Sequence, residues 1–316
     1  MRRRHLLLST LALPALGAFA QSPLKLVVGF PPGTGPDVVA RTLGQKLGEL
    51  MKQPLVIDNR AGAGGQIATQ AVARSAPDGT TVLLGEVGSI AIAPAAYSKL
   101  PYDPARELIP VAEVVRSDFI LVVPASSPVK DVKGFIDAAK ANRDRVNFAT
   151  FGAGTPGHFG AELLAEQAGF RIEPVHYRAT GDAITALVSG DVGAAFVSTA
   201  LAVPQVKGGK LRALGTTAPA RSPLLPEVPT FAEAGWPKLD FSAWFALFVP
   251  AGTPAAVVDQ LGRQAVAAVQ APEVRQKLQE AGFSVTGVGR ADTERMVRAE
   301  GQRWAGIVKA SGFKAD

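Results

Sequence analysis

The chain of 316 residues contains no cysteine. That excludes disulfides, thiolate metal sites, a cysteine nucleophile and a lipid anchor on an N-terminal cysteine. Histidine is scarce, with three in the chain. His5 lies in the leader described below, which leaves His158 and His176. No H-E-x-x-H or H-x-x-E-H spacing joins them, so a metal site has no ligand set. No Gly-x-Ser-x-Gly elbow occurs, and no glycine loop carries the lysine of a nucleoside-triphosphate site. The basic residues form no long run and no aromatic-interleaved pattern, which argues against nucleic acid as a partner. Nothing assembles a nucleophile, a base and an orienting group. The expectation is binding without turnover, hence no enzyme, no cofactor and no metal.

What is present describes a folded α/β chain. Hydrophobic residues at 47% against 19% charged allow a packed core and exclude global disorder. The length suits about two domains. The 33 glycines and 24 prolines exceed the usual share without reaching low complexity, as many short elements punctuated by turns would require. Residues 1–20 read as a secretory signal peptide. Arg2, Arg3 and Arg4 precede an apolar run, and Ala18-Phe19-Ala20 is a small-x-small cleavage site. Ser9, Thr10, Pro14 and Gly17 interrupt that run, which makes it a poor membrane span. Arg3-Arg4-His5-Leu6-Leu7 leaves twin-arginine export open beside the general route. The leader holds three arginines and no acid, so its removal lowers the formal charge from +6 to +3.

The mature chain alternates strands and helices. Strands are expected at 24–30, 55–58 and 81–85, with helices at 37–52 and up to Arg74 between them. This order argues for a parallel sheet with right-handed crossovers. Further strands are expected at 119–124, 146–150, 174–177, 192–197, 211–216 and 283–286. Further helices are expected at 129–141, 158–168, 183–188, 254–270, 272–281 and 292–309. Leu121-Val122-Val123-Pro124-Ala125 resembles Leu247-Phe248-Val249-Pro250-Ala251. Either the chain crosses between two lobes and returns at these points, or they are two ordinary strand-to-helix turns.

Glycine loops carry the chemical signal. Phe30, Pro31, Gly33, Thr34, Gly35 and Asp37 lie between the first strand and helix, where backbone N–H groups and a helix N-terminus favour an anion. Ligands of open α/β sheets sit beyond the carboxyl ends of strands. Thr150, Phe151, Gly152, Gly154, Thr155 and His158 form a second such loop. Residues 152–157 satisfy the letters G-x-G-x-x-G. However, Glu173, the acid a dinucleotide would need, opens the next strand instead of ending it. Pro156 also removes a donor. Gly62, Gly64 and Gly65 are either a third contact or a flexible helix entry. Gly85 ends the third strand and Ser89 begins the next helix, where Ser89 either contacts a ligand or caps that helix. Asp182 is either a helix cap or a ligand contact, and Ser198 completes the candidate binding residues. His158 is read as structural or ligand-contacting, and His176 as a half-buried sheet residue.

In this order the motifs resemble one family. They are Phe30-Pro31-Pro32-Gly33…Asp37, Asn59-Arg60-Ala61-Gly62-Ala63-Gly64-Gly65, Ala76-Pro77-Asp78-Gly79-Thr80-Thr81 and Leu100-Pro101-Tyr102-Asp103-Pro104. Residues 152–158, Gly208-Gly209-Lys210-Leu211-Arg212, Arg221-Ser222-Pro223…Pro229-Thr230 and Val249-Pro250-Ala251-Gly252-Thr253-Pro254 complete the set. The chain resembles an extracytoplasmic solute receptor of the tripartite tricarboxylate transporter family, the Bug or TctC type. The resemblance implies a type II-like, two-lobed periplasmic binding protein fold. In it two Rossmann-like domains are joined by two hinge strands around a ligand cleft. It assigns 21–122 and 245–316 to a discontinuous first lobe and 123–244 to the second. It makes the two V-P-A turns neighbours at the hinge.

The resemblance also implies a periplasmic monomer that captures a small organic carboxylate and delivers it to membrane permease subunits. The alternatives are a sensing co-receptor or a secreted enzyme acting on a small carboxylate. In the family two loops grip one carboxylate through backbone donors and bridging waters. Residues 31–37 and 150–158 match those loops. Thr34 and Pro36 depart from the family's Pro-Pro-Gly-Gly-x-(Thr/Ser)-Asp. Phe151 stands where a small residue is usual, and either crowds the cleft or stacks on an aromatic acid. Val197 replaces a common Asp, and Tyr177-Arg178-Ala179-Thr180-Gly181-Asp182 replaces Tyr-Lys-Gly-Gly-x-Pro. Without that Asp, the expected ligand lacks a charged amino group.

Overall fold

Leu24–Val28 forms β1 and buries every residue but Lys25, the continuous apolar run of a strand covered on both faces. The structure is a computed structural model that describes residues 23–142, 146–177 and 180–315. The leader at 1–20 and the Arg178-Ala179 departure lie outside the described residues. After β1 comes α1 (Gly35–Met51), whose Val39, Ala40, Leu43 and Leu47 recur at helical spacing and are fully buried. Left-handed Lys52 ends it. β2 (Leu55–Asn59), α2 (Gln66–Ala73) and β3 (Thr81–Glu86) follow. A π-helical turn (Gly88–Ile92) then runs into α3 (Ala93–Ala96). α4 (Pro104–Glu107), capped by Asp103, leads into the long β4 (Leu108–Pro124).

The middle of the chain alternates α5 (Val132–Ala141), β5 (Val146–Thr150), α6 (Pro156–Ala168), β6 (Ile172–His176) and α7 (Thr180–Ser189). β7 (Ala194–Ser198), α8 (Thr199–Lys207) and β8 (Leu211–Thr216) come next. β9 (Ser242–Pro250), α9 (Ala255–Gln270), α10 (Pro272–Glu280), β10 (Ser284–Val288) and α11 (Arg290–Ser311) finish the fold.

β1 pairs in parallel with β2 and β3, as the strand–helix alternation predicts. The order β2-β1-β3 with right-handed crossovers puts α1 and α2 on opposite faces. The second half repeats this pairing, with β5 parallel to β6 and β7, but the strands that link the two trios are antiparallel. β9 is antiparallel to β3, and β4 is antiparallel to β9. No helical crossover joins those neighbours; β4 and β9 are the two strands by which the chain leaves one half of the molecule and returns. β4 belongs to both halves. Its residues 108–118 pair with β9, from Leu108 opposite Pro250 to Asp118 opposite Ser242, with β10 on the other edge. From Phe119 onward it pairs with β7 and β8, Phe119 opposite Ser198 and Pro124 opposite Leu211. The halves are therefore β2-β1-β3-β9-β4-β10 and β6-β5-β7-β4-β8.

This register separates the two V-P-A turns. Pro250 lies beside Leu108 and Pro124 beside Leu211, at opposite ends of β4. They are ordinary strand-to-helix turns and not neighbours at a hinge. The halves meet instead at Asp118. Its buried carboxylate accepts from Ser284 Oγ at 2.9 Å, while its carbonyl accepts from Thr199 Oγ1 at 3.2 Å. Burial pushes the Asp118 carboxyl up, against the opposing pull of Ser284 and Arg116.

α11 straps the halves together. Near its start Thr293 Oγ1 accepts from the Glu113 N–H of β4 at 2.8 Å. Further along, Trp304 packs on Phe159 of α6 and on Phe241. Phe241 in turn stacks on Phe119 at 5.4 Å between ring centres. Beyond α11, Phe313 touches His158 of α6, and the Ala315 N–H reaches back to the Ala96 carbonyl at 2.8 Å.

Candidate functional site at the carboxyl ends of the strands

The strand register sets two rows of loops against each other. Glu86 at the end of β3 lies opposite Phe245, close to where Ser242 meets Asp118. The carboxyl ends of β1, β2 and β3 therefore point toward the second half. Ser198 at the end of β7 lies opposite Phe119, so β7 and its parallel neighbours β5 and β6 point their carboxyl ends back. The loops after β1 and after β5 face each other across this seam, the position that open α/β sheets use for ligands.

The first loop is held from inside by Asp37. Its Oδ2 accepts from the Gly33 N–H at 2.9 Å and from Arg41 Nε at 2.9 Å. Its Oδ1 accepts from Asn59 Nδ2 at 3.0 Å, and the same amide also donates to the Phe30 carbonyl at 3.0 Å. Burial alone would raise the Asp37 carboxyl, but the donors from Arg41, Gly33 and Asn59 outweigh it and hold it below the usual carboxylate range. Thr34 caps α1 in position, and its Oγ1 donates to the Pro31 carbonyl at 2.7 Å. Pro36 sits in the first turn of α1, where a helix needs no N–H. A neighbouring loop closes on this one. A Cβ on Gly29 would lie 2.6 Å from Gly65 Cα, so these two backbones approach as only glycine allows.

The second loop is held by His158, which is buried. Its Nδ1 accepts from the Gly154 N–H at 3.2 Å. Burial, with His176 beside it, pushes its pKa down to about 4, so the ring is neutral at neutral pH. Thr155 Oγ1 donates to the Gly152 carbonyl at 2.8 Å. Thr150 is buried, with Oγ1 2.6 Å from His176 Nδ1. His176 is exposed, unlike the half-buried sheet residue expected. Its ring stands edge-on to His158 at 4.8 Å. The parallel register of β5 and β6 aligns Thr150 with His176, a link across 26 residues that spacing along the chain could not reveal.

The remaining candidates divide. Phe30 and Phe151 are half-buried at the starts of the two loops. Gly35 opens α1 against the ring of Phe283. Pro31 and Gly33 are exposed. Ser198 is half-buried at the start of α8, and its side chain makes no cap bond there. Asp182 is exposed in the first turn of α7. Gly85 lies within β3 against the Phe248 ring, and Ser89 is buried, bonded to Thr69 Oγ1 at 3.0 Å. Both are packing positions in this structure. Val197 is also fully buried.

Neither 30–37 nor 150–158 contains lysine or arginine. What the loops present is backbone N–H at the first turns of α1 and α6. Among the described residues no cluster of His, Asp or Glu could hold a metal ion. No described helix is long and apolar enough to cross a membrane. A separate groove of about 740 Å³ lies along α11, between Pro94, Leu108, Arg290 and Arg298.

Comparison with known proteins identifies the fold and the family. Residues 39–313 match the model of the tripartite tricarboxylate transporter family receptor. The structure of periplasmic binding protein BugD superposes with a TM-score of 0.80 at 28% identity, over 93% of this chain and 99% of that one. MatC from Rhodopseudomonas palustris, solved with bound malate, gives 0.78 at 32% identity over 90% and 98%. R. palustris Rpa4515, solved with adipate, gives 0.84 at 32% identity over 94% and 99%. The architecture is thus the two-lobed fold of periplasmic binding proteins. The chain belongs to the tripartite tricarboxylate transporter receptor family, whose members are periplasmic solute-binding receptors.

Proposed function

We propose that this receptor captures a small organic dicarboxylate between its two lobes, without turning it over, and hands it to the membrane subunits of its transporter. The observation that carries this reading is the pair of facing loops, each opening a helix and neither bearing a cation. Oriented N–H groups and helix dipoles attract an anion without a side-chain charge. The ligands named with MatC and Rpa4515, malate and adipate, support the dicarboxylate class. The gripping groups are the backbone of 33–37 and 152–158, flanked by Phe30 and Phe151. The lobes we assign are 21–118 with 242–316, and 119–241, a little earlier at both crossings than the sequence motifs suggest. The leader directs export and is cleaved near Ala20.

Val197 supplies no charge for an ammonium group, so an amino acid is a poor ligand. A thermal-shift screen with malate, adipate and aspartate tests both statements. A bound acid at one hundred times its Kd stabilises the fold by about 2.7 kcal/mol. Malate or adipate should raise Tm and aspartate should not. A response to aspartate alone overturns the ligand class. No response to any acid in a wider carboxylate set overturns the function.

A further inference from the structure

The two facing loops share one internal geometry although their sequences differ. Gly33 and Gly154 both take left-handed backbone, with φ +80° and +76°. A threonine follows each and caps the next helix, Thr34 at φ −80°, ψ 166° and Thr155 at φ −84°, ψ 160°. Each threonine hydroxyl donates to the carbonyl three residues back, Pro31 in one loop and Gly152 in the other. Each threonine carbonyl accepts the first helical bond, from Val38 or Phe159. Four residues after each glycine, a buried side chain accepts that glycine's N–H: Asp37 in one loop, His158 in the other. Both side chains are turned into their own loops.

We infer that Asp37 and His158 are equivalent positioning residues, each fixing the glycine turn that aims its loop's N–H groups, and that acid releases the second loop before the first. The inference rests on the proposed role of these loops as the carboxylate grip. The asymmetry follows from the chemistry of the two acceptors. Asp37 is ionised, and Arg41, Gly33 and Asn59 hold it so to low pH. His158 accepts only while its Nδ1 carries no proton; once protonated, both ring nitrogens donate and the Gly154 N–H faces a second N–H. The groups around the His158 ring are His176 from β6, Glu162 on its own helix with Oε1 3.8 Å from Nε2, and the uncharged ring of Phe313. An unfolded histidine takes its proton near 6.5 and His158 takes its own only near 4. Its contribution to stability is therefore complete above about 6.5 and falls as pH drops toward 4.

The test pairs a ligand-free readout with a binding readout. In amide NMR spectra of the full mature protein, the Gly154 N–H signal should shift as pH falls through about 4, together with the His158 ring carbon, while Gly33 stays in place. Calorimetry with malate then compares three proteins. His158→Phe lacks an acceptor and should lose about tenfold in affinity at pH 7. His158→Asn keeps an acceptor near the Nδ1 position, so it should recover most of that loss. It should also lack the wild type's extra loss of affinity in acid. Protonation of malate itself is common to all three proteins and cancels in the comparison. A Gly154 signal indifferent to His158 protonation, or equal behaviour of the Phe and Asn variants, overturns the inference and leaves the receptor function standing. Failure of malate and adipate to bind at any pH, with the Gly154 shift intact, counts against the function and not against the positioning of the loop.

Discussion

Trp304→Ala is expected to cost about 3–5 kcal/mol of folding stability, the range for emptying a large buried aromatic site. Trp304 is fully buried on α11, and its indole N–H donates to Glu300 Oε2 at 2.9 Å. Its ring lies 6.4 Å from Phe159 and 6.3 Å from Phe241 between centres. A Cβ on Gly160 would come within 2.0 Å of the Phe241 ring, so α6 already presses on that ring and leaves little slack to refill a cavity. The loss falls where α11, α6 and the returning chain meet, so it should weaken the junction of the two lobes. Urea unfolding followed by circular dichroism reads it as a lower midpoint. Trp304→Phe, which keeps most of the ring area, should lose markedly less. A loss below about 1 kcal/mol for the alanine variant would show that α11 is not the strap described.

Glu86→Gln should stabilise the protein in mild alkali and leave it nearly unchanged in acid. Glu86 ends β3, buried, with Oε1 accepting from the Ser89 N–H at 3.3 Å. Burial lifts its pKa from 4.5 to about 7, against the pull of the Gly88 and Ser89 N–H groups. A raised carboxyl binds its proton more tightly folded than unfolded. Stability is therefore lost as pH climbs from about 4.5 and levels off above 7. The shift corresponds to roughly 3 kcal/mol at pH 8. Gln carries no such penalty, so the two proteins should diverge between pH 4.5 and 8 and coincide below. Parallel stability curves would contradict this.

Much of this architecture was legible in the sequence, because local chemistry decided it. β1, α1, β2, α2 and β3 follow apolar runs and turn residues that need no distant partner. The two glycine loops were placed by the strands before them and the helices after them. β4 was half missed. Pro110, Glu113, Arg116 and Asp118 look like breaks or surface in Leu108–Pro124, yet Glu113 and Arg116 neutralise each other within the strand at 2.6 Å. β9 was read only from its V-P end, because all nine residues are buried and no alternation marks it. α8 is not legible in the sequence because Pro204 interrupts its helical pattern. The roles of Asp37 and His158 were not legible as positioning. They depend on Asn59 and His176, which adjacent strands deliver from far along the chain.

The most direct measurement of the central claim is a crystal structure of the mature protein with the acid that stabilises it most. A carboxylate should lie between the loops, its oxygens about 2.7–3.2 Å from N–H groups of 33–37 or 152–158, directly or through one water. No lysine or arginine of the described chain should touch that carboxylate. A ligand seated in the α11 groove beside Arg290 and Arg298, or a carboxylate clamped by a guanidinium, would contradict the assignment.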